Sequence, residues 1–247
     1  MSVVVAINTR LGTELEQSKE VAAREACKIF SSFADEVRVL GLGTGTSVKK
    51  FIDVCLEFLK LKEIVASSLD TVLYLTRYNV KAIDLLSVGG VDTYIDGADE
   101  VSERLDLVKG RGAALLREKT LAYMSSKRIY IVDYTKYNGV DYLYSKHVPI
   151  EVIPPALNYV LKMIRGAGLF EPLVRSGGGK DGPIITDNFN FVVDLKPLKP
   201  ITNAAEAHRA LKSIHGVVET GIFPSEDLVD LVIIGYPDRA VVMQRKS

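Results

Sequence analysis

The order strand, glycine turn, helix near the start of the chain constrains its fold more than any other feature. Val37-Arg38-Val39-Leu40 has strand character and runs directly into Gly41-Leu42-Gly43-Thr44-Gly45-Thr46-Ser47, after which residues 47–60 take helical spacing. An apolar strand that enters a helix through glycines opens a parallel α/β unit. Residues 14–32 precede it as an amphipathic helix, with Val21, Ala22, Ala26 and Ile29 on one face.

The pattern then repeats. Ile64-Val65-Ala66 ends in Ser67-Ser68, and Thr93-Tyr94-Ile95 ends in Asp96-Gly97-Ala98-Asp99. A helix over about 112–126 leads into the strand Arg128 to Val132. Apolar runs between helices fit strands buried on both faces. Beyond about residue 145 the pattern loosens: Val148–Val152 and Phe191–Leu195 are strand-like, Pro154-Pro155 introduces a helix, and Gly177-Gly178-Gly179 makes a turn. Leu228–Gly235 and Ala240–Met243 read as strands returning to the main sheet. The expectation is a Rossmann-like parallel α/β domain over residues 1–145 plus 206–247, interrupted by a smaller α+β domain over 146–205.

Bulk properties narrow the function classes. Lysine plus arginine equals aspartate plus glutamate at 31 each, without the basic excess of a nucleic-acid binder. No apolar run approaches the roughly 20 residues that span a bilayer, and MSVVVAINTR lacks a basic leader, so a cytoplasmic protein without a membrane partner is expected. His147, His208 and His215 are scattered, so neither a metal nor another cofactor is expected. Cys27 and Cys55 both fall in helical segments and are read as buried, reduced thiols.

Three segments carry chemistry. Gly43-Thr44-Gly45-Thr46-Ser47 suits a phosphate cradle, since glycines admit an anion to the backbone and the following helix offers free N–H groups. Turn chemistry alone accommodates a plain strand-to-helix connection as readily. The glycines fall as G-x-G-x-G, which departs from the dinucleotide fingerprint. Asp96 and Asp99 close a strand, where ligands of open α/β sheets bind; either also suits a capping role. Lys109-Gly110-Arg111-Gly112 precedes a helix and offers N–H groups and a cation to a developing oxyanion. On that helix Glu118 has Ala114, Leu115, Leu121 and Ala122 at the i±3 and i±4 positions. A carboxylate on an apolar stripe is costly unless it is paired or is kept because its proton affinity is useful, which makes Glu118 the best general-base candidate. An exposed Arg-Glu-Lys face is the ordinary alternative. Lys136 follows the strand Arg128 to Val132 and suits either a phosphate or solvent. Lys180-Asp181-Gly182 reads as turn chemistry.

Together GLGTGTS, ASSLDT, YIDGADEV, KGRGAALLREK, PIEVIP, ITDNFNFVVDL and VVETGIF resemble the type A ribose-5-phosphate isomerase family in content and order. The resemblance implies aldose–ketose isomerisation of ribose 5-phosphate and ribulose 5-phosphate through a cis-enediolate, without metal, in the non-oxidative pentose phosphate pathway. It implies Glu118 as the base, Asp96 for ring opening, Asp99 for orienting hydroxyls, and Lys109 with the Gly110 to Gly112 amides for the enediolate oxygen. It puts the phosphate near Lys19, Thr44, Thr46, Ser47, Ser68, Thr71 and Lys136, and it implies a homodimer or homotetramer. Four departures bear on sugar and phosphate preference: Arg111 for a glycine, Thr46-Ser47 for Ser-Thr, Tyr134-Thr135 before Lys136, and Phe189 for a glycine in TDNGN. A related sugar-phosphate deaminase-isomerase would call for a histidine within these motifs. A non-catalytic sugar-phosphate sensor would have no reason to keep Asp96, Asp99, Lys109 and Glu118 together.

Overall fold

The structure, a computed structural model, describes residues 2–177, 179 and 181–245, with side chains from Gly12 onward. Gly178 and Lys180, in the turn expected above, lie outside the described residues. In chain order the elements are α1 (Ser2–Ser31), β1 (Val39–Leu42), α2 (Thr46–Leu59), β2 (Glu63–Ala66), α3 (Leu69–Thr76), β3 (Ala82–Ile83) and β4 (Val91–Asp96). Next come β5 (Glu100–Val101), β6 (Leu107–Val108), α4 (Leu115–Met124), β7 (Ser125–Asp133), β8 (Val148–Val152), α5 (Leu157–Ala167), β9 (Phe170–Val174) and β10 (Phe191–Pro197). The chain ends with α6 (Ala204–Lys212), β11 (Val217–Thr220), β12 (Ile222–Phe223), α7 (Ser225–Leu228), β13 (Leu231–Gly235) and β14 (Ala240–Gln244).

These elements form two compact units. The first holds the described residues up to Gly97, Met124–Tyr137, and those from Asp230 on; the second holds Ala98–Tyr123 and Asn138–Val229. The second unit therefore takes in 98–123, 138–145 and 206–229 as well as the 146–205 expected from the sequence. The reason is hydrogen bonding: β6 pairs with β5 on one side and β12 on the other, while β11 pairs with β8.

The first unit is a doubly wound α/β sheet in the order β14-β13-β7-β4-β1-β2-β3. All its pairings are parallel except that of β13 with β14. The apolar runs are strands covered on both faces, so Leu40, Leu42, Ile95, Ile129 and Ile131 are fully buried. β1 starts two residues later than expected because the N–H groups of Arg38 and Val39 bond to the Asp92 carboxylate. It then extends through Gly41 and Leu42, in register with β2 and β4. Helix α1 is longer than the 14–32 expected and packs on β7 and β13. Gly235 allows that approach: a Cβ there would lie 1.9 Å from the Ser18 carbonyl oxygen.

The reading of two reduced thiols is corrected. Cys27 of α1 and Cys55 of α2 form a disulfide, with Cα atoms 5.4 Å apart. The two helices pack side by side, which brings together residues 28 apart in sequence. Closing a loop of that length removes about 3–4 kcal/mol of unfolded-state entropy. Reductant, or Cys27→Ser with Cys55→Ser, is expected to lower the urea-unfolding free energy of the protein by about that amount. An unchanged midpoint would show that the bond adds nothing beyond the packing.

The second unit is α+β. Its antiparallel sheet runs β11-β8-β10-β9, and a smaller one runs β12-β6-β5. Val148, Ile150 and Val152 of β8, Val193 and Leu195 of β10, and Val160 and Ile164 of α5 form its core. Among the described residues no helix is long and apolar enough to cross a membrane.

Candidate active site

In the first unit the loop after β1 is locked against the end of β4. Strand register sets Leu42 beside Ile95, and the Gly43 N–H continues it to the Ile95 carbonyl at 2.9 Å. Gly43 consequently lies on the Asp96 carboxylate, where a Cβ would come within 1.8 Å of Cγ. No residue but glycine fits. Asp96 is fully buried and accepts hydrogen bonds from the N–H groups of Thr44 (3.1 Å) and Gly97 (2.7 Å) and from the Tyr94 hydroxyl. Tyr94 stands two residues earlier on the same face of β4, as strand geometry requires.

Hydroxyls hold the other side of the loop. Thr71 Oγ1 donates to the Gly43 carbonyl (2.7 Å), and Thr44 Oγ1 donates to Ser68 Oγ (2.7 Å) and lies 2.9 Å from Ser67 Oγ. Ser68 also caps α3, accepting from the Thr71 N–H. Ser68 and Thr71 are thus buried within the loop's own scaffold. Gly45, at φ 109°, is the N-cap of α2 and supplies no side-chain cap. The first-turn N–H groups, beside exposed Thr46 and half-buried Ser47, carry the positive end of the helix dipole.

Two candidate phosphate ligands lie near the carboxyl edge of the same sheet. Lys136 follows β7 in a single 3-10 turn capped by Asp133, and its side chain has no ion-pair partner among the described residues. Lys19 is on α1 next to Ser18, which packs on Gly235 at the end of β13, and it pairs with Glu16 at 2.7 Å.

In the second unit, β6 runs into the loop from Lys109 to Ala114, which turns through left-handed backbone at Gly110 (φ 105°) and Ala113 (φ 59°). This is why α4 begins at Leu115 instead of near residue 112. Glu118 and Lys109 meet at 3.2 Å, each side chain 3% exposed. The apolar stripe expected around Glu118 is therefore a buried surface. Asp99 Oδ2 accepts the Arg111 N–H at 3.0 Å, and the Asp99 N–H bonds to Val108. The side chain of Arg111 and residue Gly112 are exposed.

Several contributing residues were not singled out from sequence. Arg175, just past β9, donates to the carbonyls of Gly110 (3.0 Å) and Arg111 (2.9 Å) while paired with Asp194 of β10. That pins the loop from its carbonyl side, and no local pattern could reveal partners so far apart in sequence. Glu100, beside Asp99 in the DGADE run, is buried and accepts from Asn138 Nδ2 and the N–H groups of Tyr144, Ser145 and Lys146. It organises residues 138–146. Thr186, Asn188 and Asn190 all donate to Glu151 Oε1. Between them Phe189 is 83% exposed. Its φ of 64° is a conformation costing a side-chain-bearing residue about 1–2 kcal/mol and glycine almost nothing. Among the described residues no three His, Cys, Asp or Glu side chains gather as a metal-binding group.

The first unit thus supplies a glycine–hydroxyl loop at a helix N-terminus with a buried carboxylate behind it, and the second a buried carboxylate–ammonium pair beside a loop of N–H groups. Anion binding and proton transfer are the chemistry of these parts. Residues 63–239 match the ribose 5-phosphate isomerase A (phosphoriboisomerase A) family. Ribose-5-phosphate isomerase A of Pyrococcus horikoshii is 39% identical over 94% of this chain and 99% of its own length. The Pyrococcus abyssi enzyme is 38% identical over the same shares. A solved D-ribose-5-phosphate isomerase in complex with phospho-erythronic acid superposes with a TM-score of 0.85 at 37% identity, over 94% of this chain and 99% of that one. The Methanocaldococcus jannaschii enzyme superposes at 0.81 with 32% identity, over 93% and 99%. The chain belongs to the ribose 5-phosphate isomerase A family.

Proposed function

We propose how the residues named above carry out the family's reaction, the interconversion of ribose 5-phosphate and ribulose 5-phosphate. The chain is an isomerase of this kind, and its substrate is a sugar phosphate. The observation that carries the assignment of roles is the nearly buried Glu118–Lys109 pair at 3.2 Å.

The phosphate lies near Thr44, Thr46, Ser47, Ser68 and Thr71, at the amides opening α2, with Lys19 and Lys136 supplying positive charge. Asp96 moves the proton that leaves the anomeric hydroxyl and joins the ring oxygen as the furanose opens. Glu118 takes the proton from C2, leaving an enediolate whose O1 charge faces Lys109 and the Gly110, Arg111 and Gly112 amides. Asp99 orients the substrate hydroxyls. Glu118 then returns the proton to C1 while the hydroxyl proton of O2 passes to O1, and ribulose 5-phosphate results. The same reading makes the protein a cytoplasmic homodimer or homotetramer serving the non-oxidative pentose phosphate pathway.

The test is turnover of ribose 5-phosphate by purified protein with EDTA present, run in D2O. Ribulose 5-phosphate carrying deuterium at C1 is expected, because the carried proton exchanges while it sits on the carboxylate. Product with no solvent deuterium would point to a direct hydride shift and remove Glu118 from its role.

A further inference from the structure

The charged run Arg117-Glu118-Lys119 on α4 contains a second buried cation that the reaction above does not use. Lys119 is fully buried. Its ammonium contacts Glu219 Oε1 at 3.0 Å, the carbonyls of Thr220 and Ile222 at 2.6 and 2.7 Å, and Thr220 Oγ1 at 3.3 Å. His208 Nδ1 lies 3.3 Å away and 2.8 Å from Thr220 Oγ1. Lys212 approaches Glu219 Oε2 at 3.3 Å. So many polar partners for one ammonium exceed what neutralising Glu219 requires.

What those carbonyls flank is informative. Gly221 lies between Thr220 and Ile222, and its carbonyl accepts the backbone N–H of Lys109 at 2.8 Å. Its own N–H donates to Pro149 at 2.6 Å, and a Cβ at Gly221 would strike the Lys109 carbonyl at 2.2 Å. The segment from β11 to β12 is therefore a backbone strap across Lys109, and Lys119 clamps it on both sides of the contact. The ring of Phe223, on the same strap, has Lys109 Nζ 5.4 Å and Lys119 Nζ 4.7 Å from its centre. Both cations meet one ring, and their order is set by the strap.

We infer that Lys119 is a positioning residue: by clamping the Thr220–Ile222 backbone it fixes Lys109, and so holds the Lys109 ammonium against Glu118. Burial holds Lys119 down to about 8 and His208 down to about 4, so His208 stays neutral beside the clamp at physiological pH. Burial alone would raise Glu219, but the Lys119 charge and hydrogen bond, the Thr220 N–H and the Lys212 charge together outweigh it and keep that carboxyl below its usual range. On the other side of Glu118, Arg117 donates to Asn188 Oδ1 at 2.8 Å and to the Asp187 carbonyl at 3.0 Å. Glu118 is thus carried between two anchored neighbours.

The inference rests on the isomerase reading, and a double-mutant cycle separates the two. Lys119→Met is expected to lower kcat per folded protein about 10–100-fold, as displacement of a reacting group does, with KM changed no more than about threefold. In a Lys109→Ala background the same substitution should have almost no further effect on kcat, because it acts through Lys109. Glu219→Gln, which leaves Lys119 both carbonyls, should give a smaller loss of roughly 3–10-fold and serves the same cycle if Lys119→Met does not fold. Wild-type kcat in the folded variant, or single effects that multiply in the double variant, would overturn the positioning role. Absence of turnover in the wild-type protein would instead defeat the isomerase reading.

Discussion

Glu118→Gln is expected to reduce kcat about 10²–10⁴-fold, the loss that follows removal of a positioned general base. KM for ribose 5-phosphate should stay nearly constant, since the phosphate contacts assigned above lie on other residues. The amide is almost isosteric with the carboxylate, so the change is electrostatic. It leaves the Lys109 ammonium, 3.2 Å away and nearly buried, without its counter-charge, and removing one partner of such a pair costs about 3–5 kcal/mol of stability. Thermal unfolding run beside the kinetics separates the two effects. Full turnover in folded Glu118→Gln would move the base elsewhere, with Asp96 the next candidate.

Gly43→Ala is expected to be damaging too, although it adds one methyl group. That methyl would sit 1.8 Å from the Asp96 carboxylate, which is held by the Thr44 and Gly97 amides and the Tyr94 hydroxyl. Either Asp96 swings out of this set or the loop lifts off β4. Overpacking of this kind costs about 1–3 kcal/mol and sometimes more, and it also displaces the group assigned to ring opening. A fall of roughly 10²-fold or more in kcat/KM is expected, in line with the sensitivity of catalysis to an ångström of misplacement. Gly45→Ala is the contrast: its φ is 109° but a Cβ there meets nothing within 4 Å. It should lose only the backbone term, about 1–3 kcal/mol, with kcat/KM of the folded enzyme falling much less. Equal losses in both variants would show that loop conformation, not the contact with Asp96, sets the effect.

The doubly wound sheet was legible because strands covered on both faces keep their apolar residues in short unbroken runs, as in Ile64–Ala66 and Ile129–Val132. Glu118 was legible because its i±3 and i±4 neighbours mark the buried side of α4. The partnership of Glu118 with Lys109 was less so: nine residues and two left-handed turns separate them, and only the folded loop closes the gap. The disulfide was missed because free cysteine and bridged cysteine look alike inside amphipathic helices; packing of α1 on α2 decides which it is. The unit boundary was missed because 98–123 continues the α/β rhythm in sequence while its strand β6 pairs with β12, more than 100 residues later. Arg175 and Glu100 were hidden for a similar reason, since their work is done on backbone groups, which leave no trace in side-chain pattern.

The interleaving of the two units also has a consequence for biosynthesis. β7 is complete at Asp133, yet the strand that covers its outer edge, β13, begins only at Leu231. Throughout translation of the second unit, a nascent chain therefore carries a strand with buried-type residues Ile129, Ile131 and Val132 and an open hydrogen-bonding edge. Unpaired edges of that kind recruit other chains. Premature termination between Asp133 and Leu231 should yield insoluble fragments, and a stop after Gln244 soluble protein. The last strands added, far in sequence from every catalytic candidate, are the ones that close the sheet.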